Sequence, residues 1–250
     1  MRPLLCTLLL LAAVWQPALA QKSAPAKPPS LVEQADALYA KREDLAHVRD
    51  AIRLAQQARA ASATDYEATW RAAKYCYYLA AHTTVEKERD ATFKSGVEAG
   101  KAAVKLQPAK PEGHFWLGAN IGGRVQADGG LGSLGAAGDV RDEMEAVIKV
   151  DPGFQAGTAY MILGQIDLQV PGLLGGNKKR AVERMEKGLT YGPQNAFLRL
   201  RLAEAYLAVH RDEDARRQLD FILSMKPDPA YLPEYKEAAA EARTLRAKKL

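Results

Sequence analysis

Cysteine is scarce, with two in 250 residues, Cys6 and Cys76. That excludes a disulfide framework and a paired-cysteine metal site. His47, His82, His114 and His210 are scattered, and no two of them have a metal-ligand spacing. No G-x-S-x-G, H-E-x-x-H or Walker loop occurs, so no enzyme class is suggested. Positive charge is not concentrated either. A net charge of +5 without a basic stripe excludes a nucleic-acid-binding face. Beyond Val14 no apolar run approaches the roughly 20 residues that a membrane-spanning helix needs. Alternating polar and β-branched runs are absent as well, so no sheet is expected. What remains is 48% apolar and 26% charged, enough to bury a core.

The first twenty residues, MRPLLCTLLLLAAVWQPALA, place Arg2 before an apolar run and end in Ala18-Leu19-Ala20. This is the pattern of a secretory signal peptide, here cleaved before Gln21. Cys6 lies inside the apolar run and not at the cleavage point, so it leaves with the leader and no lipid anchor is expected. Residues 21–30, QKSAPAKPPS, read as a disordered tether. Residues 31–250 then form one domain.

Four segments of that domain end in proline: Pro108, Pro152, Pro193 and Pro227, at spacings of 44, 41 and 34 residues. Proline cannot continue a helix, so each marks the end of a unit. In the last unit Leu198, Leu202, Tyr206 and Val209 share one helical face, and Ala215, Leu219 and Ile222 share another. Ala203 and Ala215 are small where the two helices must cross. Leu117-Gly118 and Leu163-Gly164 take the corresponding places in earlier units. A helical hairpin recurring at about 34 residues resembles the tetratricopeptide-repeat superfamily. The resulting expectation is an all-α solenoid of about five hairpins (31–60, 65–107, 111–151, 154–192 and 195–226), with a capping helix near 231–247.

The third and fourth units are longer than the last. Their extra residues fall between the two helices of each hairpin, at Asp128–Gly138 and Val170–Gly176, on the same edge of the solenoid. Fifteen of the 19 glycines lie between Gly113 and Gly176. Gly118, Gly122 and Gly123 fall in one expected helix, where they either admit a close neighbour or break it. Gly130-Leu-Gly132-Ser-Leu-Gly135 matches a dinucleotide fingerprint in letters only, because no strand precedes it. Cys76, inside Tyr75-Cys76-Tyr77-Tyr78, reads as a buried inert thiol. Asn177 reads as a helix N-cap. Asp212-Glu213-Asp214 reads as an acidic first turn.

Asp167 stands where the last unit has Tyr206, a packed position, so its carboxylate must be paired, hydrated or facing a cavity. Gln165 is near it on the same helix. Trp116, Asn120 and Arg124 follow one another at one-turn spacing on the preceding first helix. Together with Leu173 and Leu174 of the second insertion, these residues are the candidate site for a partner or an organic anion. No catalytic residue, cofactor or metal is expected.

Pro111-Glu-Gly-His-Phe-Trp-Leu-Gly-Ala-Asn120, Val140–Pro152 and Val170-Pro-Gly-Leu-Leu-Gly-Gly-Asn177 with Lys-Lys-Arg-Ala181 resemble the T-component family of tripartite ATP-independent periplasmic (TRAP) transporters. That family's eukaryotic relatives resemble regulators of microtubule dynamics. The resemblance implies a non-enzymatic periplasmic helical protein with a hydrophobic cleft. It also implies a solute-binding subunit as protein partner and, for some members, a homo-oligomer. The alternative is a generic scaffold for envelope assembly that binds peptide segments. A charged inner face would fit peptides, and a deep apolar one would fit a hydrophobic ligand.

Overall fold

The computed structural model describes residues 28–127 and 134–250. They form eleven α-helices and, among the described residues, no strand. Ten helices pair as hairpins. These are α1 (Leu31–Tyr39) with α2 (Leu45–Ala61), α3 (Tyr66–His82) with α4 (Glu86–Leu106), and α5 (Pro111–Ala127) with α6 (Leu134–Val150). Then come α7 (Thr158–Gln169) with α8 (Lys178–Tyr191) and α9 (Ala196–Leu207) with α10 (Asp212–Ser224). The eleventh, α11 (Leu232–Lys249), packs on α9 and α10 as the expected cap. One insertion is shorter than expected: α6 begins at Leu134, so residues 134–138 are helical. The leader, residues 21–27 of the tether and residues 128–133 of the first insertion lie outside the described residues.

Local chemistry explains the helix starts. Ser30 and Glu33 form a reciprocal capping box at α1. Asp44, Asp65, Asn177 and Asn195 each accept a backbone N–H of the helix that follows. Pro111 opens α5, in the first turn, where a backbone N–H has no partner within the helix.

Small residues set how closely the helices pack. A Cβ on Gly100 of α4 would lie 2.7 Å from Leu117 Cα of α5. One on Gly118 of α5 would lie 2.5 Å from Met144 of α6, and one on Gly164 of α7 would lie 3.0 Å from the Ala181 carbonyl of α8. The glycines of α5 therefore admit neighbours, and the helix runs unbroken from Pro111 to Ala127. Ala203 and Ala215 fill the same role in the last hairpin, both fully buried. Two apolar cores result. The first gathers Tyr75, Phe115, Trp116 and Met144, and the second Met185, Leu198, Leu202 and Ile222. They meet at α7, which gives Leu163 to the first and Met161 and Leu168 to the second.

The row of hairpins also closes on itself. Arg42, in the α1–α2 turn, donates from Nε and Nη2 to the two carboxylate oxygens of Glu234 on α11, at 2.8 and 2.6 Å. Its Nη2 also donates to the Ala230 carbonyl at 2.6 Å. Lys236 reaches Glu43 at 2.6 Å.

The fourth hairpin opens on a left-handed stretch, with φ of 49° at Gln155, 52° at Ala156 and 74° at Gly157. At Gly157 a Cβ would lie 2.3 Å from the Gly188 carbonyl. Gly157→Ala should therefore lower stability by about 3 kcal/mol. Gly138 is exposed in α6, and a Cβ placed on it would have nothing within 4 Å. Gly138→Ala should therefore raise stability by about 0.5–1 kcal/mol. Urea unfolding midpoints check both signs.

Candidate partner-binding site

The second insertion is anchored by the residue before it on α7. The Asp167 side chain is fully buried and three arginines converge on it. Arg180 donates from Nε to Oδ2 at 2.8 Å and from Nη2 to Oδ1 at 2.7 Å. Arg141 donates to Oδ1 at 3.2 Å, and Arg184 Nη1 sits 3.4 Å from Oδ2. Arg141 comes from α6 and the other two from successive turns of α8, so one carboxylate ties three helices across the junction of the two cores. Burial alone would raise the Asp167 pKa. The hydrogen bond from Arg180 and the charge of Arg184 outweigh it and hold the carboxyl below its ordinary value.

The same arginine shapes the loop. Arg180 Nη2 donates to the Gly175 carbonyl at 2.6 Å, and Asn177 N–H donates to the Asp167 carbonyl at 2.7 Å. The Pro171 carbonyl accepts from Leu174 N–H at 2.8 Å and from Gly176 N–H at 3.1 Å. Gly175 has a φ of 94°, and a Cβ on Gly176 would lie 1.7 Å from the Val170 carbonyl, so both positions require glycine. Val170 is buried, whereas Leu173 is 101% exposed and Leu174 is 54% exposed. Lys178 and Lys179, which follow the loop in the chain, are exposed. The edge therefore offers two aliphatic side chains on a pinned loop with basic flanks.

The remaining candidates sit elsewhere. Asn120 is fully buried and donates from Nδ2 to the carbonyls of Ala73 at 3.0 Å and Trp116 at 2.7 Å. Its Oδ1 faces Gly96, where a Cβ would come within 2.0 Å. Trp116 packs edge-on against Phe115 at 4.9 Å and tilted against Tyr77 at 5.8 Å. Both residues thus hold α3, α4 and α5 together. Arg124 is exposed on the last turn of α5. Gln165 lies 3.5 Å from Glu204 of α9 and accepts from Gln169 at 2.9 Å. The structure joins Asp167 to the Leu173–Leu174 loop and does not join them to Trp116 or Asn120. A shallow groove of about 400 Å³ between α9 and α11 is lined by Leu200, Ala240 and Leu245 together with Glu204, Glu241 and Lys248.

Sequence reasoning did not find Arg141, Arg180 and Arg184. The i, i+4 spacing of Arg180 and Arg184 directly after the insertion was the available signal. Cys76 is 2% exposed, and burial pushes its thiol up to about 12. Among the described residues no three His, Cys, Asp or Glu side chains cluster as a metal site, and no helix is long and apolar enough to cross a membrane.

Hairpins, small crossing residues and an exposed edge loop define a tetratricopeptide-type repeat protein, and residues 175–241 match the tetratricopeptide repeat model. Residues 31–173, more than half the chain, match the model described as Regulator of microtubule dynamics protein 1-3, and the chain belongs to that family. None of the curated proteins matches it. A solved thermophilic TPR protein of Thermus thermophilus is 20% identical, over 86% of this chain and 98% of that one, with a TM-score of 0.60, and shares its fold. A MamA protein is 17% identical over 87% and 92% of the two chains, with a TM-score of 0.47.

Asp167→Asn should cost about 2–4 kcal/mol in urea unfolding, because Arg141 and Arg180 lose their counter-charge and Arg184 keeps only Glu145, at 3.5 Å. The folded pKa of Asp167 is lowered, so its stabilisation is complete above the unfolded value of about 4 and fades as pH falls through the lower folded value. The variant should lose that part of the acid dependence. Cys76 should resist a thiol reagent in the native chain and react on denaturation, as absorbance with Ellman's reagent would report.

Proposed function

We propose that this chain is a non-enzymatic periplasmic scaffold that docks a protein partner on the Leu173–Leu174 edge. The partner is the solute-binding subunit of a TRAP-type uptake system. The pair of exposed leucines on a pinned loop carries this reading. Each leucine stands to gain roughly 1.5–3 kcal/mol from full burial, and a loop already held in one shape loses little entropy on docking. The exposed Lys178 and Lys179 that follow the loop favour an anionic patch on the partner. The leader with its Ala18-Leu19-Ala20 site supports the periplasm. The resemblance of residues 111–120 and 170–181 to the T-component family supports the uptake role.

In cross-linking capture from the periplasm, the wild-type chain should retain a solute-binding subunit. Leu173→Ser/Leu174→Ser should lose it by about ten-fold or more. Its thermal unfolding should not change, because both side chains are already exposed. Undiminished capture by the double variant would overturn the docking edge. Recovery of envelope-assembly factors with no solute-binding subunit would overturn the uptake role.

A further inference from the structure

Trp70, Lys74 and Tyr77 fall on one side of α3, at spacings of four and three residues. That side is turned to α1, α9 and α11. Lys74 is acted on by Asp36 of α1 and Glu234 of α11, and Tyr77 by Glu237 of α11 and Arg201 of α9. Tyr78 lies next to Tyr77, and Tyr39 reaches in from the end of α1. Tyr39 meets Tyr78 edge-on with ring centres 5.6 Å apart. Lys74 Nζ stands 4.5 Å from the centre of the Tyr39 ring.

The donors of this cluster have nothing to donate to. Among the described residues, no acceptor lies within hydrogen-bond distance of Tyr39 Oη, Tyr77 Oη, Tyr78 Oη or Lys74 Nζ. None of the four atoms is sealed from solvent, because the polar atoms enclosed without a partner lie elsewhere. Tyr78 is only 6% exposed, and its hydroxyl is part of that opening. The cations nearby are unequally matched. Arg42 pairs with Glu234, and Arg71 pairs with Asp36 and Glu67. Lys74 makes no ion pair among the described residues. Burial is the largest influence on its amine and lowers its pKa, while the charges of Asp36 and Glu234 oppose those of Arg42 and Arg71. A lysine held this way is ordinarily paired. Burial raises the pKa values of Tyr39, Tyr77 and Tyr78, the last to about 12, so all three phenols keep their protons at neutral pH and can donate.

We propose that Lys74, Tyr39, Tyr77 and Tyr78 form a binding site for a free organic monocarboxylate with an apolar body. The carboxylate accepts from the Lys74 amine and the tyrosine hydroxyls, in charge-assisted bonds that a desolvated amine strengthens. The body lies against the half-buried rings of Trp70 and Tyr77. One negative charge fits, because one cation is unmatched and a second carboxylate would face Asp36 and Glu234. α11 is a wall of this site and stays in place, held by Glu234 on Arg42 and by Glu237 on His82. The donor atoms are open with that helix docked, which favours a free acid over the end of a partner's chain. The site shares no residue with the Leu173–Leu174 edge.

The test titrates the full chain with phenylacetate and follows tryptophan fluorescence, since Trp70 lies on the binding side. Saturable binding should appear, and phenylacetamide, which has the same body without the charge, should bind at least about ten-fold more weakly. Lys74→Met should cut phenylacetate affinity about ten-fold or more, and Tyr78→Phe roughly three-fold. Lys74→Met removes a desolvated amine that has no counter-charge, so its thermal midpoint should not fall, which separates lost binding from lost fold. Binding to wild type should fade as pH rises through the Lys74 pKa, over a range below that of a free lysine, and residual binding to Lys74→Met should not follow pH. No saturable binding of phenylacetate, equal binding of phenylacetamide, or undiminished affinity in Lys74→Met overturns the proposal. A short N-acetylated peptide ending in a phenylalanine with a free carboxylate separates the two sources of this chemistry. It should bind at least about ten-fold more weakly than phenylacetate. Equal or tighter binding would make a chain end the occupant and overturn the free-acid assignment.

Discussion

One buried carboxylate holds the fourth hairpin to the third. The two apolar cores meet at α7, and Asp167 sits at that junction with no exposure of its side chain. An isolated charge there would be strongly unfavourable, and three arginines from α6 and α8 make it acceptable. The consequence reaches the surface. Arg180 spans from Asp167 to the Gly175 carbonyl, so the group that neutralises the core charge also fixes the shape of the exposed loop. Core stability and the presentation of Leu173 and Leu174 are coupled through one guanidinium.

Elsewhere side-chain volume controls the geometry. Repeat helices cross closely only where one partner lacks bulk, and Gly100, Gly118, Gly164, Ala203 and Ala215 supply those positions. The cost of glycine inside a helix, about 1 kcal/mol, is offset by the packing that it permits. Glycine thus has two uses in this chain. In α4, α5 and α7 it admits a neighbouring helix, and at Gly175 and Gly176 it allows a backbone shape that a side chain would forbid.

Closure of the row adds a second constraint. Tyr77 of α3 feels the charges of Glu237 on α11 and Arg201 on α9, and burial followed by the Glu237 charge raises its pKa. Elements far apart in sequence therefore act on one half-buried side chain.

The five hairpins were legible in the sequence because their causes are local. Prolines end units, Asp and Asn side chains cap helices, and apolar residues three and four apart choose a face. Asn177 and the insertion at 170–176 were readable for the same reason. Asp167 was legible as an anomaly, a charge at a packed position, but its partners were not. Arg141 and Arg184 meet it only after α6 and α8 have packed beside α7. Trp116 and Asn120 carried the letters of a binding stripe, yet Ala73 and Tyr77 of α3 and Gly96 of α4 pack against them and bury them. Arg42 and Glu234 stand 192 positions apart. Their meeting depends on the small rotation between each hairpin and the next, summed over the row. The sequence by itself determined the helices, their ends and the repeat. Only the tertiary structure decided which charges meet, since that sum of rotations is written in no single segment.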